Sequence, residues 1–327
     1  MARTRAGKRI LHLSMTFIAL AVIVGAAALG IYAFGTRYLT EHDAPPAQGR
    51  LDCVRANIQE NYSTVMKSTQ EMHEGELILV NNEIPYTFPG GETLVSVYDF
   101  KNQSYKVRDT NVALMEPVME PLNRMLGDFA DITGKRDVNI ISGHRTEDYQ
   151  TELYDRRAQE DGEAAAKLYV ALPGGSEHHT GYALDFGIYH DTGVSETFRA
   201  QGEYGWLNLN AWRYGFVVRY DGKKTALTGI ADEPWHLRYV GRPHAFAMAK
   251  KDYCLEEYID FLKQFICGQT HLAVTLAEGE KYEIYYVPQT GEQTEVPVPE
   301  GRAYTVSGNN VDGFIVTAVL EAGAQGE

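Results

Sequence analysis

The chain has 327 residues, of which 44% are hydrophobic and 23% are charged, so it is a folding chain with room for two or three structural units rather than a disordered one. Its 30 lysines and arginines against 44 aspartates and glutamates give a formal net charge of −14, which argues against a general nucleic-acid-binding protein. Three cysteines exclude a disulfide-stapled scaffold and a four-cysteine zinc module.

The N-terminal segment predicts a membrane anchor. Four cations lie within residues 1–9, and residues 10–36 contain no Asp, Glu, Lys or Arg. A helix of this length crosses a hydrocarbon core of ~30 Å, and the preceding cations place the N-terminus inside. A cleaved signal peptide is the alternative, although its apolar region is typically about 7–15 residues long. We therefore expect a cytoplasmic tail at 1–9, an uncleaved transmembrane helix at 10–36, and the rest of the chain outside.

The remaining chain is expected to have three parts. Residues 37–74 form a stalk followed by a lead-in helix, which we predict over 51–73. Residues 75–267 mix helices and strands without a regular βαβ repeat, which is typical of an α+β domain. Residues 268–327 alternate apolar and polar positions between Gly and Pro turns and are predicted to be a small all-β unit. A stabilising appendage is the favoured role for this unit, and a wall-binding or partner-binding unit is the alternative. The elements predicted for the middle part are strands at 76–80, 138–142, 182–188, 215–220 and 235–240, a loop at 85–91, and helices at 113–132, 146–170 and 243–265.

The cysteines leave disulfide pairing open. A continuous helix between Cys254 and Cys267 would separate their Cα atoms by about 20 Å, well beyond the ~4.4–6.8 Å that a disulfide spans. Cys53 could pair with either of them, which would leave one thiol free.

Two segments carry candidate metal chemistry. In the first, His178 precedes Gly181, which permits a tight bend, and Asp185 follows on a predicted strand. In the second, His236 lies on another predicted strand, three residues after Glu233. Two histidines and one aspartate are good zinc ligands, and three protein ligands leave a fourth position open to water, as in catalytic zinc sites. A neighbouring carboxylate such as Glu233 can then take a proton from that water.

These residues carry a family resemblance. The pattern S-x-H-x-x-G-x-A-x-D at 176–185, followed by E-x-W-H at 233–236, resembles the signature of zinc D-alanyl-D-alanine carboxypeptidases of the VanY type. That family is related to D-Ala-D-Ala dipeptidases and to hedgehog-like zinc peptidase domains, and the resemblance covers about residues 75–265. It implies a zinc D,D-peptidase fold with one Zn²⁺ on His178, Asp185 and His236, and Glu233 as the general base.

The same resemblance implies a substrate cleft. A segment at 142–150 resembles the family's S-G-Y-R-[ST] motif, so Arg145 is expected to clamp the terminal carboxylate of the substrate through two parallel hydrogen bonds. The motif register favours His178 over the neighbouring His179 as the ligand. His144 and Asp232 depart from the usual family residues, which leaves the metal site intact but fine substrate preference open. The other residues expected in the cleft are Gln150, Ser176 and Trp206.

The anchor and the resemblance together predict an extracellular enzyme of a bacterial cell membrane that removes the C-terminal D-Ala from peptidoglycan stem pentapeptides. Two enzymatic alternatives remain, an endopeptidase acting within stem peptides or cross-bridges and a dipeptidase for free D-Ala-D-Ala. Arg145 argues mildly against the first, and the anchor argues against the second. A non-catalytic cell-wall binding or sensing module is the alternative of another class, and the presence of Glu233 argues against it.

Overall fold

The structure is a computed structural model that describes residues 49–56, 61–91 and 93–322. The predicted tail and anchor at 1–36, and nearly all of the predicted stalk, lie outside these residues. No helix within the described ranges is both long enough and apolar enough to cross a membrane.

The described chain contains short strands throughout and helices mainly in its middle part. The strands are β1 (Arg50–Arg55), β2 (Tyr62–Ser68), β3 (Leu94–Ser96), β4 (Lys106–Val107), β5 (Ala113–Met115), β6 (Val138–Ser142), β7 (Ala183–Tyr189), β8 (Ser195–Thr197), β9 (Phe216–Val218), β10 (His236–Tyr239), β11 (Thr270–Thr275), β12 (Lys281–Pro288), β13 (Gln293–Pro299), β14 (Tyr304–Gly308) and β15 (Gly313–Glu321). The α-helices are α1 (Val97–Phe100), α2 (Glu116–Thr133), α3 (Glu147–Asp161), α4 (Glu163–Tyr169), α5 (Gly205–Asn210), α6 (Thr225–Thr228), α7 (Arg242–Lys251) and α8 (Leu255–Leu262).

A central sheet organises the middle of the chain. Its strand order is β4-β6-β7-β10-β9, with β8 paired to β7, and every pair is antiparallel except β4 with β6. Helix α2 contributes a buried apolar stripe, including Leu122, Leu126 and Phe129, to the same core cluster as Leu184 and Leu237 of the sheet. These elements confirm the predicted α+β architecture, with the predicted helix at 113–132 beginning at residue 116.

A second sheet follows the helical region. Its order is β1-β11-β12-β15-β14, with all pairs antiparallel, and helix α8 packs against it through Leu255, Ile259 and Leu262. The C-terminal residues are therefore β-structure, as predicted. The sheet also incorporates β1, while β2 pairs with β13, so the N-terminal part of the described chain belongs to the same β-structure.

The predicted helix over 51–73 is wrong. Residues 50–55 and 62–68 are strands, and only Gln70–His73 form a short 3₁₀ turn. Leu51 packs against the core beneath the second sheet, and Val65 lies opposite Val296 in the pair formed by β2 and β13. Pairing with distant strands thus overrides the local spacing of apolar residues.

The predicted strand at 76–80 is also wrong. The segment is largely buried but irregular, and most of its backbone hydrogen bonds are to side chains, with one from the N–H of Leu79 to the carbonyl of Asn309. Arg238 donates to the carbonyls of Glu76 and Ile78 at 2.9 Å each, and Asn310 donates to the carbonyl of Leu79 at 2.8 Å.

The two long predicted helices are each divided in two. Gly162 separates α3 from α4, and residues 252–254 separate α7 from α8. The second break removes the premise that a continuous helix runs toward Cys267. All three cysteines lie among the described residues and are free.

Candidate active site

Two neighbouring strands bring Asp185 and His236 together. The residues lie opposite each other in the β7–β10 pair, and Ser142 of β6 is paired with Asp185 on its other side. Nδ1 of His236 is 2.9 Å from Oδ1 of Asp185. The alternation of side chains along each strand therefore places an imidazole and a carboxylate on the same face.

A 3₁₀ turn at Glu177–Thr180 supplies His178. Ser176 caps the turn by accepting the backbone N–H of His178 at 3.4 Å, and Gly181 ends it with φ +72°. Nδ1 of His178 donates to the carbonyl of Gly143 at 2.7 Å. Nε2 is therefore unprotonated, faces Oδ2 of Asp185 at 3.2 Å, and has no hydrogen-bond partner among the described residues.

His178, Asp185 and His236 form a candidate metal site. One ligand atom from each lies within 4.8 Å of the others, and all three side chains are buried. Two imidazole nitrogens and a carboxylate oxygen suit Zn²⁺, and a metal ion would give the partnerless Nε2 of His178 its missing contact. The residues present thus fit the ion that the sequence predicted.

The charges at this site are set by burial and close contacts. Burial, with the nearby charge of Arg145, lowers the pKa of His178 to about 4, so this imidazole is neutral, as a ligand must be. Burial would raise the pKa of Asp185, but the charge of Arg145 and the hydrogen bond with His236 outweigh burial and hold the pKa well below its usual range. Burial would lower the pKa of His236, but the hydrogen bond to Asp185 and the nearby carboxylate of Glu177 raise it to about 9. In the metal-free protein His236 is therefore protonated, and a metal ion must displace that proton.

Glu233 lies in the turn before β10 and faces the same point. Its backbone N–H donates to the carbonyl of Tyr220, and its own carbonyl accepts from the N–H of His236, each at 3.0 Å. A carboxylate oxygen of Glu233 is 3.9 Å from Nδ1 of His236. Burial raises the pKa of Glu233 to about 7, with His236 opposing and Asp185 adding to the shift. A carboxylate with this pKa can exchange a proton near neutral pH.

Arg145 is held against the site by three side chains. Its Nε donates to Ser142 at 2.9 Å, its Nη1 to Gln150 at 3.3 Å, and its Nη2 to Oδ2 of Asp185 at 2.5 Å. Gln150 is itself fixed, because its amide donates to the carbonyl of Ala171 at 2.8 Å. The guanidinium therefore lies directly beside an expected ligand oxygen.

The metal-site residues, Glu233 and Arg145 line one cavity of about 290 Å³. Trp206 does not line it: this residue packs in the core against the rings of Phe129 and Tyr214, so the prediction that it walls the cleft is wrong. Trp235 lines the cavity together with Tyr220, and it also packs against the core. The predicted site residues that line the cavity are Arg145, Gln150, Ser176, His178, Asp185, Glu233 and His236.

His179 is engaged away from the metal site. Its Nδ1 donates to the carbonyl of Arg145 at 2.8 Å, and its Nε2 accepts the N–H of Gly174 at 3.2 Å. The ring also lies 4.9 Å from that of Phe88, between centroids. Both nitrogens thus hold neighbouring chain segments together, which favours the register that makes His178 the ligand.

Sequence reasoning missed a buried ionic cluster behind His236. Glu177, between the cap and the expected ligand, contacts the buried guanidinium groups of Arg219 and Arg238, and Arg219 also contacts Glu256. Nothing in the sequence indicates that these charges are buried, because they come from four separate parts of the chain.

The known proteins that this chain resembles are D-alanyl-D-alanine carboxypeptidases and D,D-dipeptidases. The VanY family model, D-alanyl-D-alanine carboxypeptidase, matches residues 112–242. A D-alanyl-D-alanine carboxypeptidase of Enterococcus faecium is 37% identical over 262 residues, which are 79% of this chain and 80% of that protein. The bifunctional D-Ala-D-Ala dipeptidase and carboxypeptidase VanXYC of Enterococcus gallinarum is 38% identical over 135 residues, 40% of this chain and 71% of that protein. The solved vancomycin resistance D,D-dipeptidase VanXYg, in complex with a D-Ala-D-Ala phosphinate analogue, is similar with a TM-score of 0.71 and 32% identity, covering 79% of this chain and 99% of that one.

Proposed function

Because the chain belongs to the VanY family of D-alanyl-D-alanine carboxypeptidases, we propose that it removes the C-terminal D-Ala from peptidoglycan stem pentapeptides with one Zn²⁺ on His178, Asp185 and His236. The observation that carries the proposal is the convergence of these three side chains and Glu233 in one cavity. A metal site with no base beside it would favour a binding or sensing module instead.

The positions of the side chains suggest separate roles for the metal ion and for Glu233 in the reaction. Bound Zn²⁺ would supply Lewis acidity, polarising the scissile carbonyl and lowering the pKa of an attacking water toward about 7. Glu233 would accept a proton from the attacking water, because its carboxylate lines the same cavity and lies 3.9 Å from Nδ1 of His236. It then returns the proton to the leaving amine of the terminal D-Ala, so the residue ends the cycle in the state in which it began.

Arg145 is proposed to bind the carboxylate of the terminal D-Ala. A planar guanidinium matches a carboxylate with two parallel hydrogen bonds, and Ser142 and Gln150 hold the group in place. Gln150 therefore acts through Arg145, and Ser176 acts through the turn that it caps beneath His178. Recognition of a free C-terminus is what would make the enzyme release single residues rather than cut within the peptide.

A comparison of three substrates tests the reaction proposed. The zinc-loaded chain would be incubated separately with a stem pentapeptide, with free D-Ala-D-Ala and with a cross-linked muropeptide, and the products identified by mass spectrometry. The proposal predicts a tetrapeptide and D-Ala from the pentapeptide as the fastest reaction. Faster cleavage of the free dipeptide would favour the dipeptidase alternative, and an internal cut in the muropeptide would favour the endopeptidase.

We further propose that residues 10–36 anchor the enzyme in a bacterial cell membrane with the catalytic part outside, where stem peptides lie. The basis is the uncharged run of residues and the cations that precede it. Cys53 provides a test, because it is exposed on β1 a short distance after the anchor. A membrane-impermeant maleimide should label intact cells expressing the chain and not cells expressing Cys53→Ser. Labelling that appears only after lysis would refute this topology.

A further inference from the structure

The carboxylate of Glu177 lies behind His236, on the side opposite the metal site. Its Oε1 accepts hydrogen bonds from Nε of Arg219 at 2.8 Å and from Nη1 of Arg238 at 2.9 Å. Its Oε2 has no hydrogen-bond partner among the described residues, and neither does Nε2 of His236. These two buried atoms face each other at 3.8 Å.

The two nitrogens of His236 face different groups. Nδ1 lies 2.9 Å from Asp185 and 3.9 Å from Glu233, so it is the nitrogen that points to the expected metal position. With Nδ1 bound to a metal ion, the remaining ring proton must lie on Nε2. Metal-binding histidines commonly donate this second N–H to a carboxylate or a carbonyl, which fixes the tautomer and the ring orientation.

We propose that Glu177 is a positioning residue of the metal site: its anionic Oε2, 3.8 Å from Nε2 of His236, holds the remaining ring proton on Nε2 when Nδ1 binds the metal ion. The inference rests on the zinc site proposed above, and it adds a role for a residue outside the ligand set. Glu177 also immediately precedes His178, so the same 3₁₀ turn supplies one ligand and supports another.

Two arginines hold Glu177 in this orientation. The side chains of Arg219 and Arg238 are completely buried, and so is that of Glu177. Arg238 lies two residues after His236 on β10 and points to the same face of the strand. The backbone N–H of Arg219, directly after β9, donates to the carbonyl of His236. Because its Oε1 accepts from both buried guanidinium groups, Glu177 is held as an anion that can accept a hydrogen bond.

The cluster is electrically balanced by Glu256. Its two carboxylate oxygens accept from Arg219 at 2.7 and 2.9 Å, and one of them also accepts from Asn81 at 3.2 Å. Two buried cations are thus balanced by the buried Glu177 and the partly buried Glu256. Buried ion pairs often contribute little to stability compared with apolar packing. Glu256 contacts Arg219 and Asn81 rather than His236, so it provides a matched control for Glu177 within the same cluster.

The test measures zinc binding by the full chain, by Glu177→Gln and by Glu256→Gln, in competition with a chromogenic chelator. Removing the anion behind His236 should weaken zinc binding by about 10- to 100-fold, the range found for second partners of metal-binding histidines. Glu256→Gln should lower the unfolding midpoint but leave zinc affinity within about twofold, since it disturbs the arginines and not the imidazole. Nitrogen NMR of the zinc-bound protein should also show a changed Nε2–H resonance of His236 in Glu177→Gln alone.

Wild-type zinc affinity in Glu177→Gln, or an equal loss in both variants, would overturn the proposal. If Glu177→Gln fails to fold, Glu177→Asp keeps the charge for the arginines but withdraws the carboxylate from His236, and it should weaken zinc binding in the same direction. The readout does not require catalysis. A chain that binds zinc in this way but releases no D-Ala would therefore refute the proposed function and leave the role of Glu177 intact.

Discussion

Replacing Gly181 with alanine tests how the turn that carries His178 is built. Gly181 has φ +72°, where a residue with a Cβ loses about 1–2 kcal/mol. An added Cβ would lie 2.8 Å from Cδ2 of Leu94 and 3.0 Å from Cγ of Met115, which is closer than ordinary packing allows. Over-packing of this kind costs roughly 1–3 kcal/mol. We therefore expect Gly181→Ala to lower the free energy of unfolding by about 2–5 kcal/mol.

Gly134→Ala is the matched control for Gly181→Ala. Gly134 follows helix α2 with φ +75°, and no heavy atom lies within 4 Å of its added Cβ, so only the backbone contribution applies. Urea unfolding of the full chain, followed by tryptophan fluorescence, gives both values. Leu94→Ala should recover part of the loss in the Gly181 variant, seen as a coupling energy in a double-mutant cycle. If both glycine variants lose the same free energy of unfolding and Leu94→Ala shows no coupling, the steric clash at Gly181 would be refuted.

Two further predictions concern single side chains. Burial lowers the pKa of His244 to about 3, and the unfolded chain takes up a proton near pH 6.5, so this histidine contributes stability that is lost as the pH falls below 6.5. Between pH 7 and pH 5 this histidine should lower the free energy of unfolding by about 2 kcal/mol, and His244→Gln should lack that contribution when unfolding is measured at both pH values. An equal decrease in the wild-type chain and in His244→Gln would contradict the prediction. Arg145→Lys keeps the charge but loses the two-donor geometry, so kcat/KM for the pentapeptide should fall by about 10- to 100-fold, mainly through a higher KM. A fall confined to kcat would instead indicate that Arg145 stabilises charge developing at the scissile bond.

Local patterns in the sequence predicted the elements that form from local contacts. The strand Val138–Ser142 has the predicted bounds, and the apolar spacing of α2 is that of a helix with one buried face. The spacing of the two motifs also predicted which side chains meet at the metal site. Asp185 and His236 lie opposite each other on β7 and β10, so their side chains point to the same face of the sheet.

Long-range pairing limited the rest of the prediction. Val65 lies beside Val296, more than two hundred residues away, and no local pattern in either segment identifies the other. Trp206 is part of a core formed by several elements, and the position of its ring depends on Phe129 and Tyr214. The contacts of Glu177 likewise exist only after Arg219, which follows β9, and Arg238 of β10 have been brought beside it. Features of this kind need the tertiary structure.

Release of D-Ala from a stem pentapeptide by the zinc-loaded full chain, compared with Glu233→Gln, tests the central claim most directly. Glutamine preserves the size and burial of the side chain but cannot take a proton, so the rate should fall by about 10²- to 10⁴-fold while zinc remains bound at one ion per chain. Zinc content and D-Ala release are measured on the same samples. Zinc-dependent release that persists within a few-fold in Glu233→Gln would contradict the role of Glu233, and no release from the zinc-loaded wild-type chain would contradict the carboxypeptidase itself.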